Sequence, residues 1–445
     1  MWKVVARDRG AKTAQRLVEL AGHHKDVLAN EVARVDIAEF LKRSASKKVA
    51  LIDVRAPCEF NKGRALGAYN LPLLDDEDRA SIGTMYKRAG RKEAVKLGFQ
   101  LVSPKIPSMI EQALGILQSA NANTFAVYCA RGGLRSQLTS SFLHSVFVNQ
   151  KPTKLMESLE ERPESPHRNA RSLIHDSPRN SLPDVEEIFI CDGGYKAYRN
   201  YMLSSFEELN LQPQIHIIGG RTGAGKSRLL RKLRDTYKEQ IIDLEALANH
   251  RGSAFGRIGE INPQPSSEQF GNLLGSHWRG LDLSRPVYIE DEGPNIGDCQ
   301  IPPKLYAAMR NAPLVVRLEV PEGLRISNLV KDYCTAIDKA SFPGEYMAWE
   351  TDMKNSCIRL RKRLGDERLT NILQALEDSN YALVAQTLLL YYDRLYEKHI
   401  MKNRDLRHFI TVQLRESDLS KSDVDAYSLL AQNMLKAIDT VKRTT

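Results

Sequence analysis

QIHIIGGRTGAGKSRLLRKL, Gln214 to Leu233, is the stretch whose reading decides the fold. An apolar run, Ile215 to Ile218, ends in glycines, and a helical period begins with RLLRKL directly behind the loop. Short apolar runs that stop at turn residues read as buried parallel strands. Gly220 to Ser227, GRTGAGKS, fits the spacing G-x-x-x-x-G-K-[ST] without a mismatch. Gly220, Gly223 and Gly225 let successive backbone N–H groups turn toward one phosphate or diphosphate. Lys226 offsets the charge of the terminal phosphates, and the Ser227 hydroxyl can ligate magnesium. Strand, anion-holding turn and helix in that order predict an α/β domain.

Downstream, QIIDLEAL (Gln240 to Leu247), PVYIEDE (Pro286 to Glu292) and PLVVRLEV (Pro313 to Val320) supply further strands, with helical segments between them. A metal held by Ser227 needs a carboxylate from the end of a neighbouring strand. Glu290, Asp291 and Glu292 stand at such an end, with Asp291 the expected ligand and Asp243 and Glu245 as rivals. A solvated acidic strand end is the bland alternative for each. Mg2+ is the expected ion, with no tightly bound organic cofactor. ANHRGSAFGR carries His250 and Arg251, read either as a proton donor and an anion ligand or as parts of a glycine-rich turn. Beyond Pro321 the period is mostly helical, through a basic stretch IRLRKRLGDERL (Ile358 to Leu369) to a helical tail.

Upstream, the same logic applies to AVYCARGGLRSQ, Ala126 to Gln137. VALIDV (Val49 to Val54) and TFAVYC (Thr124 to Cys129) read as buried parallel strands, and chemistry in α/β proteins sits at such strand ends. Cys129 is followed by Arg131, Gly132 and Gly133, with Arg135 at a helix entrance. Backbone N–H groups and a helix N-terminus stabilise negative charge at the loop centre, which favours a thiolate nucleophile over a structural thiol. SQLTSSFLHSVFV then reads as a helix, and IFICDGGYKAYRNY (Ile188 to Tyr201) as one more strand, a turn and a closing helix. Between them lies a Pro-, Ser-, Arg- and Glu-rich run without a period, expected to be a disordered insertion. The expected organisation is an N-terminal extension (1–34), a first α/β domain (35–206, with the insertion at 150–187), a second (207–320) and a helical C-terminal region (321–445).

A chain of 445 residues with 42% hydrophobic residues can bury two sizeable cores. Its net charge of +9 points to an anionic partner, nucleic acid first. The six cysteines form no C-x-x-C pair, which argues against a zinc site or a disulfide framework. No apolar run approaches the roughly 18 residues of a membrane span. A cytoplasmic location is expected, or an organelle if the basic N-terminus is a transit peptide.

LIDVRAPCEFNKGRALGAYNLP (Leu51 to Pro72), the Cys129 loop and CDGGYKAYR (Cys191 to Arg199) resemble a rhodanese domain. In that family the loop cysteine carries a chalcogen covalently, and Asp53, Arg55 and Glu59 fall on the motif that shapes the active-site wall. Tyr195 and Lys196 fall on the segment beside the thiol pocket. Two departures stand out. Gly63-Arg64-Ala65 replaces the glycine-histidine-isoleucine often found there, and Cys129 to Arg135 is C-x-x-x-x-x-R, the spacing of rhodanese-like phosphatases. The longer loop makes a cradle wide enough for a tetrahedral phosphate or selenophosphate.

A rhodanese-like domain followed by a P-loop NTPase-like α/β domain with a helical C-terminal part, and by IDLEALANHRGSAFGR (Ile242 to Arg257), resembles the tRNA 2-selenouridine synthase family. LPLLDDEDRASIGTMYKRAGRKEAVKLG (Leu71 to Gly98) adds to the likeness, which runs from about Val35 into the low 300s. The resemblance implies conversion of 2-thiouridine to 2-selenouridine at the wobble position of tRNAs for lysine, glutamate and glutamine. The sulfur is first alkylated from geranyl diphosphate, and the S-geranyl group is then displaced by selenium from selenophosphate. It also implies an S-selanylcysteine at Cys129, with Arg131, Gly132, Gly133 and Arg135 holding selenophosphate, and the diphosphate at Gly220–Ser227. Two rivals differ in class. One is a P-loop nucleotide kinase fused to a rhodanese-like phosphatase or sulfurtransferase, and the other a non-catalytic tRNA-binding module.

Overall fold

The computed structural model describes residues 32–148, 185–207, 215–260, 262–336, 345–402, 404, 408–421 and 425–444. The chain forms two units, Met1–Tyr201 and Met202–Thr445. The N-terminal extension and the insertion expected at 150–187 fall almost wholly outside the described residues, apart from 32–34 and 185–187.

In the first unit, strands β1 (Ala33–Val35), β2 (Val49–Asp53), β3 (Tyr69–Asn70), β4 (Thr124–Tyr128) and β5 (Glu187–Cys191) form one sheet. Its order is β1-β5-β4-β2-β3, and every neighbouring pair is parallel. All five residues of β4 are buried, as expected for a strand covered on both faces. One cover is the helix Ile106–Ala120, which buries Ile106, Met109, Ile110, Ala113, Leu114 and Leu117. These positions recur at three- and four-residue steps and so make one apolar stripe. The register pairs Asp53 with Tyr128, so the acid ending β2 and the cysteine following β4 lie at the same sheet edge.

In the second unit, β6 (Ile215–Gly220), β7 (Gln240–Ile242), β8 (Val287–Glu290), β11 (Leu314–Glu319) and β12 (Phe409–Gln413) form a sheet in the order β12-β11-β6-β8-β7. All its pairs are parallel. Strands β9 (Asn295–Ile296) and β10 (Cys299–Gln300) make a separate antiparallel pair. From β6 the chain goes to the edge strand β7, returns to place β8 between them, and then crosses to the other side of β6 with β11, so the direction of build reverses beside β6. The phosphate-loop motif follows β6 directly.

Two sequence expectations differ from the structure. QIIDLEAL is a strand only over Gln240–Ile242, because the Asp243 carboxylate accepts the Ala246 N–H (2.9 Å) and caps a helix over Leu244–Ala248. The C-terminal region is mostly helical, as expected, though not without a strand: FITVQ adds β12 to the edge of the sheet. Nor does 320 end a domain. Leu430, Ala431, Met434 and Ile438 of the last helix (Ala426–Thr444) share a core with Leu229, Leu230 and Leu233 behind the phosphate loop. The basic stretch at Ile358–Leu369 is broken by Gly365, whose positive φ of 84° starts a new helix at Asp366. Among the described residues, no helix is long and apolar enough to cross a membrane.

Candidate functional site

In the first unit, the turn after β4 presents Cys129, only 3% exposed, against a set of polar groups. The Gly133 N–H donates to Sγ (3.2 Å), and the Ser136 hydroxyl lies 3.3 Å from it. Ser136 Oγ also donates to the Gly133 carbonyl (3.0 Å), which fixes the hydroxyl beside the sulfur. A sulfur that receives a backbone N–H is placed to hold negative charge. Ser136 carried no signal in the sequence reading beyond its place one residue after Arg135.

The turn after β5 locks this loop from below. Tyr195 N–H donates to the Cys129 carbonyl (2.8 Å) and Lys196 N–H to the Ala130 carbonyl (3.0 Å). Gly132 has φ +63°, and a Cβ there would stand 2.7 Å from the Cys191 carbonyl oxygen. Gly194, at φ +58°, is pressed against the backbone of Cys129, Arg131 and Gly132. Only glycine fits two such approaches. Arg34 completes the frame, donating to the Gly132 carbonyl (2.8 Å) and to Asp192 (2.7 Å). Burial pushes the neighbouring Cys191 thiol up to about 12, so Cys191 stays a protonated structural thiol.

The cations expected in this cradle are differently placed. Arg131 is exposed. Arg135 does not reach toward the sulfur: its guanidinium makes a forked pair with Glu59, at 2.6 and 3.3 Å. Asp53 and Arg55 form a buried pair (2.6 Å), with Arg55 also stacked 3.8 Å above the Tyr195 ring. These two brace the wall and touch no open space.

In the second unit, Gly223 (φ +81°) and Gly225 (φ +78°) give the phosphate loop its left-handed turns. The loop lines a cavity of about 320 Å³ together with Glu245, Arg251, Ser253, Glu292, Tyr333 and Tyr396 among others. The C-terminal half braces it. Arg325 Nε donates to the Thr222 carbonyl (2.9 Å), and Asn328 Nδ2 donates to the Gly223 carbonyl (2.8 Å) and the Tyr427 hydroxyl (2.6 Å). Asp393 holds Arg325 through a second contact at 3.0 Å.

Acid placement departs from the sequence reading. Ser227 Oγ lies 2.9 Å from Glu245 and 3.2 Å from Glu290, and Lys226 Nζ lies 3.6 Å from Glu292. Ligand oxygens of Glu245, Glu290 and Glu292 all fall within 4.8 Å of one another. Burial raises the pKa of all three carboxyls, and their mutual repulsion adds to it for Glu290 and Glu292. Burial opposes the Lys226 ammonium, but Glu292, Glu245 and Glu290 outweigh it and lift its pKa above lysine's ordinary value. A cation joining Lys226 among these three crowded carboxyls would favour their ionised forms. With the Ser227 hydroxyl, Glu245 and Glu290 offer the hard oxygen donors that suit Mg2+.

Asp291, the expected ligand, is not part of that set. Its carboxylate accepts two bonds from Arg404 (2.7 and 2.8 Å), with His399 at 3.4 Å and Arg310 at 3.5 Å. Burial would raise this carboxyl, but the bonds from His399 and Arg404 hold it at about 2. Asp243 is likewise occupied as a helix cap and in a 3.3 Å pair with Arg231. His250 packs against Gly256 and Gly297, and its Nδ1 accepts the Gly252 N–H (3.1 Å). Burial lowers its pKa, which favours the neutral ring with Nδ1 as acceptor and the proton on Nε2. Arg251 does line the phosphate cavity, 3.3 Å from Glu260 and 5.1 Å above the Tyr333 ring.

A family model described as the tRNA 2-selenouridine synthase AAA domain matches residues 213–417, and a rhodanese-like domain model matches 36–201. A tRNA 2-selenouridine synthase of Sulfurovum sp. (strain NBC37-1) is 34% identical over 371 residues, covering 79% of this chain and 89% of that relative. One from Marinobacter nauticus is 34% identical over 380 residues, covering 80% and 89%. One from Shewanella sediminis is 33% identical over 375 residues, covering 80% and 88%.

Proposed function

The chain belongs to the tRNA 2-selenouridine synthase family, an enzyme family acting on tRNA, and from that premise we propose how its two sites divide the conversion of 2-thiouridine to 2-selenouridine. The target is the wobble uridine of tRNAs for lysine, glutamate and glutamine, and the site of action is the cytoplasm. A thiocarbonyl sulfur is a poor leaving group as sulfide, whereas an alkylated sulfur leaves as a thiol. Alkylation therefore comes first.

At the phosphate loop, the tRNA sulfur attacks C1 of geranyl diphosphate, a C–S bond forms, and the C–O bond to diphosphate breaks. The loop N–H groups and the Lys226 ammonium take up the charge of the departing diphosphate. Mg2+ held by Ser227, Glu245 and Glu290 would supply further charge neutralisation there. Arg251, on the wall of the same cavity, is placed to meet an anion.

At the thiol loop, Cys129 Sγ attacks the phosphorus of selenophosphate, an S–P bond forms and the P–Se bond breaks. The selenide released attacks C2 of the S-geranyl uridine, a C–Se bond forms, the C–S bond breaks and geranylthiol leaves. Water then hydrolyses the phosphocysteine to phosphate. Gly132 and Gly133 supply the backbone of the cradle, Arg131 stands at its exposed rim, and Arg135 is held in reserve by Glu59. The observation that carries this reading is the Gly133 N–H directed at Cys129 Sγ (3.2 Å), because a sulfur that bears charge needs such a donor.

The test is nucleoside mass spectrometry after incubating the full chain with a thiolated tRNA, Mg2+, geranyl diphosphate and selenophosphate. S-geranyl-2-thiouridine should appear first and 2-selenouridine after it. Unchanged nucleosides, with ATP hydrolysed instead, would favour a nucleotide kinase joined to a phosphatase.

A further inference from the structure

Behind the phosphate cavity lies a second, apolar chamber. Thr222 of the phosphate loop, Ser253, Leu329, Tyr333 and Tyr392 line both spaces, so the two adjoin there, and a mouth between them would lie among these residues. Past that mouth the walls are Phe255, Cys334, Met353, Val384 and Leu388, all at most 9% exposed. Cys334 is the most polar of these five, and a thiol is a weak partner for hydrogen bonds. A nucleobase placed here would leave its ring nitrogens and exocyclic groups unpaired, a cost that a hydrocarbon chain does not incur.

We propose that this chamber seats the distal end of the prenyl chain while the diphosphate lies in the Gly220–Ser227 loop. The inference rests on the reading of that loop as a prenyl diphosphate site. Continuity decides the occupant: a ligand that fills both spaces is anionic at one end and apolar at the other. The chamber's free volume of about 60 Å³ sets its reach. That is room for roughly two methylene-sized groups, with the rest of the chain lying at the mouth and in the phosphate cavity. On this reading the geranyl chain ends in the chamber, a five-carbon chain is too short to pass the mouth, and a fifteen-carbon chain carries more carbons past it than the chamber holds. Ser253 and Tyr333, whose hydroxyls lie 3.4 Å apart, mark where the polar part of the path ends.

The experiment is calorimetric binding by the full chain with Mg2+, using inorganic pyrophosphate and the dimethylallyl, geranyl and farnesyl diphosphates as probes. Geranyl diphosphate should bind at least about tenfold more tightly than pyrophosphate, and more tightly than either other prenyl ester. Val384→Phe, which fills the chamber, should remove that advantage and leave pyrophosphate affinity within about twofold. Leu388→Ala, which lengthens it, should improve farnesyl diphosphate relative to geranyl diphosphate, so misfolding of one variant does not decide the matter. Equal affinity of the wild-type chain for pyrophosphate and geranyl diphosphate would overturn the chamber while leaving the loop as a diphosphate site. Loss of ATP affinity in Val384→Phe would overturn it in favour of a nucleoside. If thiolated tRNA is not alkylated by the wild-type chain at all, the underlying reading fails and the chamber with it.

Discussion

Glu290, Asp291 and Glu292 are consecutive, yet their surroundings are opposite. Alternation along an extended chain sends Glu290 and Glu292 to one side, beside Ser227 and Lys226, and Asp291 to the other, into Arg404 and His399. This alternation was available in the sequence. The three positions were not resolved because the arginine that takes Asp291 is more than a hundred residues away. Asp291→Asn should therefore destabilise the fold by about 3 kcal/mol, because it leaves Arg404 buried without its counter-charge. Mg2+ affinity of the folded variant should stay within about twofold. Glu290→Gln should do the reverse, with little loss of stability and at least about tenfold weaker Mg2+ binding by calorimetry.

The pH dependence follows from the same carboxylate. A carboxyl held at about 2 in the fold contributes stability that is present above its ordinary value near 4 and lost as pH falls toward 2. That share is about 2 kcal/mol. Urea unfolding of the wild-type chain between roughly pH 4 and pH 2 should show it, and Asp291→Asn should lack it.

At the scale of elements, the thiol cradle is two turns locked together, the one after β4 and the one after β5. A side chain at Gly194 would drive into the Cys129 carbonyl and the Gly132 N–H, and the backbone there has positive φ. Gly194→Ala should lower the melting temperature by several degrees, and it should slow alkylation of Cys129 by displacing the Gly133 N–H from the sulfur. A melting temperature within about a degree of wild type would show that the turns can separate freely.

The Cys129 loop was legible because its strand, glycines and helix entrance are contiguous. So was the phosphate loop, for the same reason. What braces the phosphate loop was not legible. Arg325, Asn328, Asp393 and Tyr427 come from far along the chain, and no local period marks them. The strand β12 was hidden by its helical flanks, and the Leu244–Ala248 helix by the apolar run before its Asp243 cap.

At the scale of the whole molecule, a net charge of +9 suits a polyanionic substrate. Binding of tRNA should weaken at least about hundredfold between roughly 50 and 200 mM salt, read by filter retention. A flat salt response would place recognition in contacts other than phosphate.

The central claim is a division of labour between two cradles in one polypeptide. It is tested most directly by nucleoside mass spectrometry of thiolated tRNA treated with Cys129→Ala and with Lys226→Ala, each supplied with geranyl diphosphate and selenophosphate. Expected from Cys129→Ala is S-geranyl-2-thiouridine without 2-selenouridine, and from Lys226→Ala little of either. Loss of both products in Cys129→Ala, or persistence of 2-selenouridine there, would contradict the division.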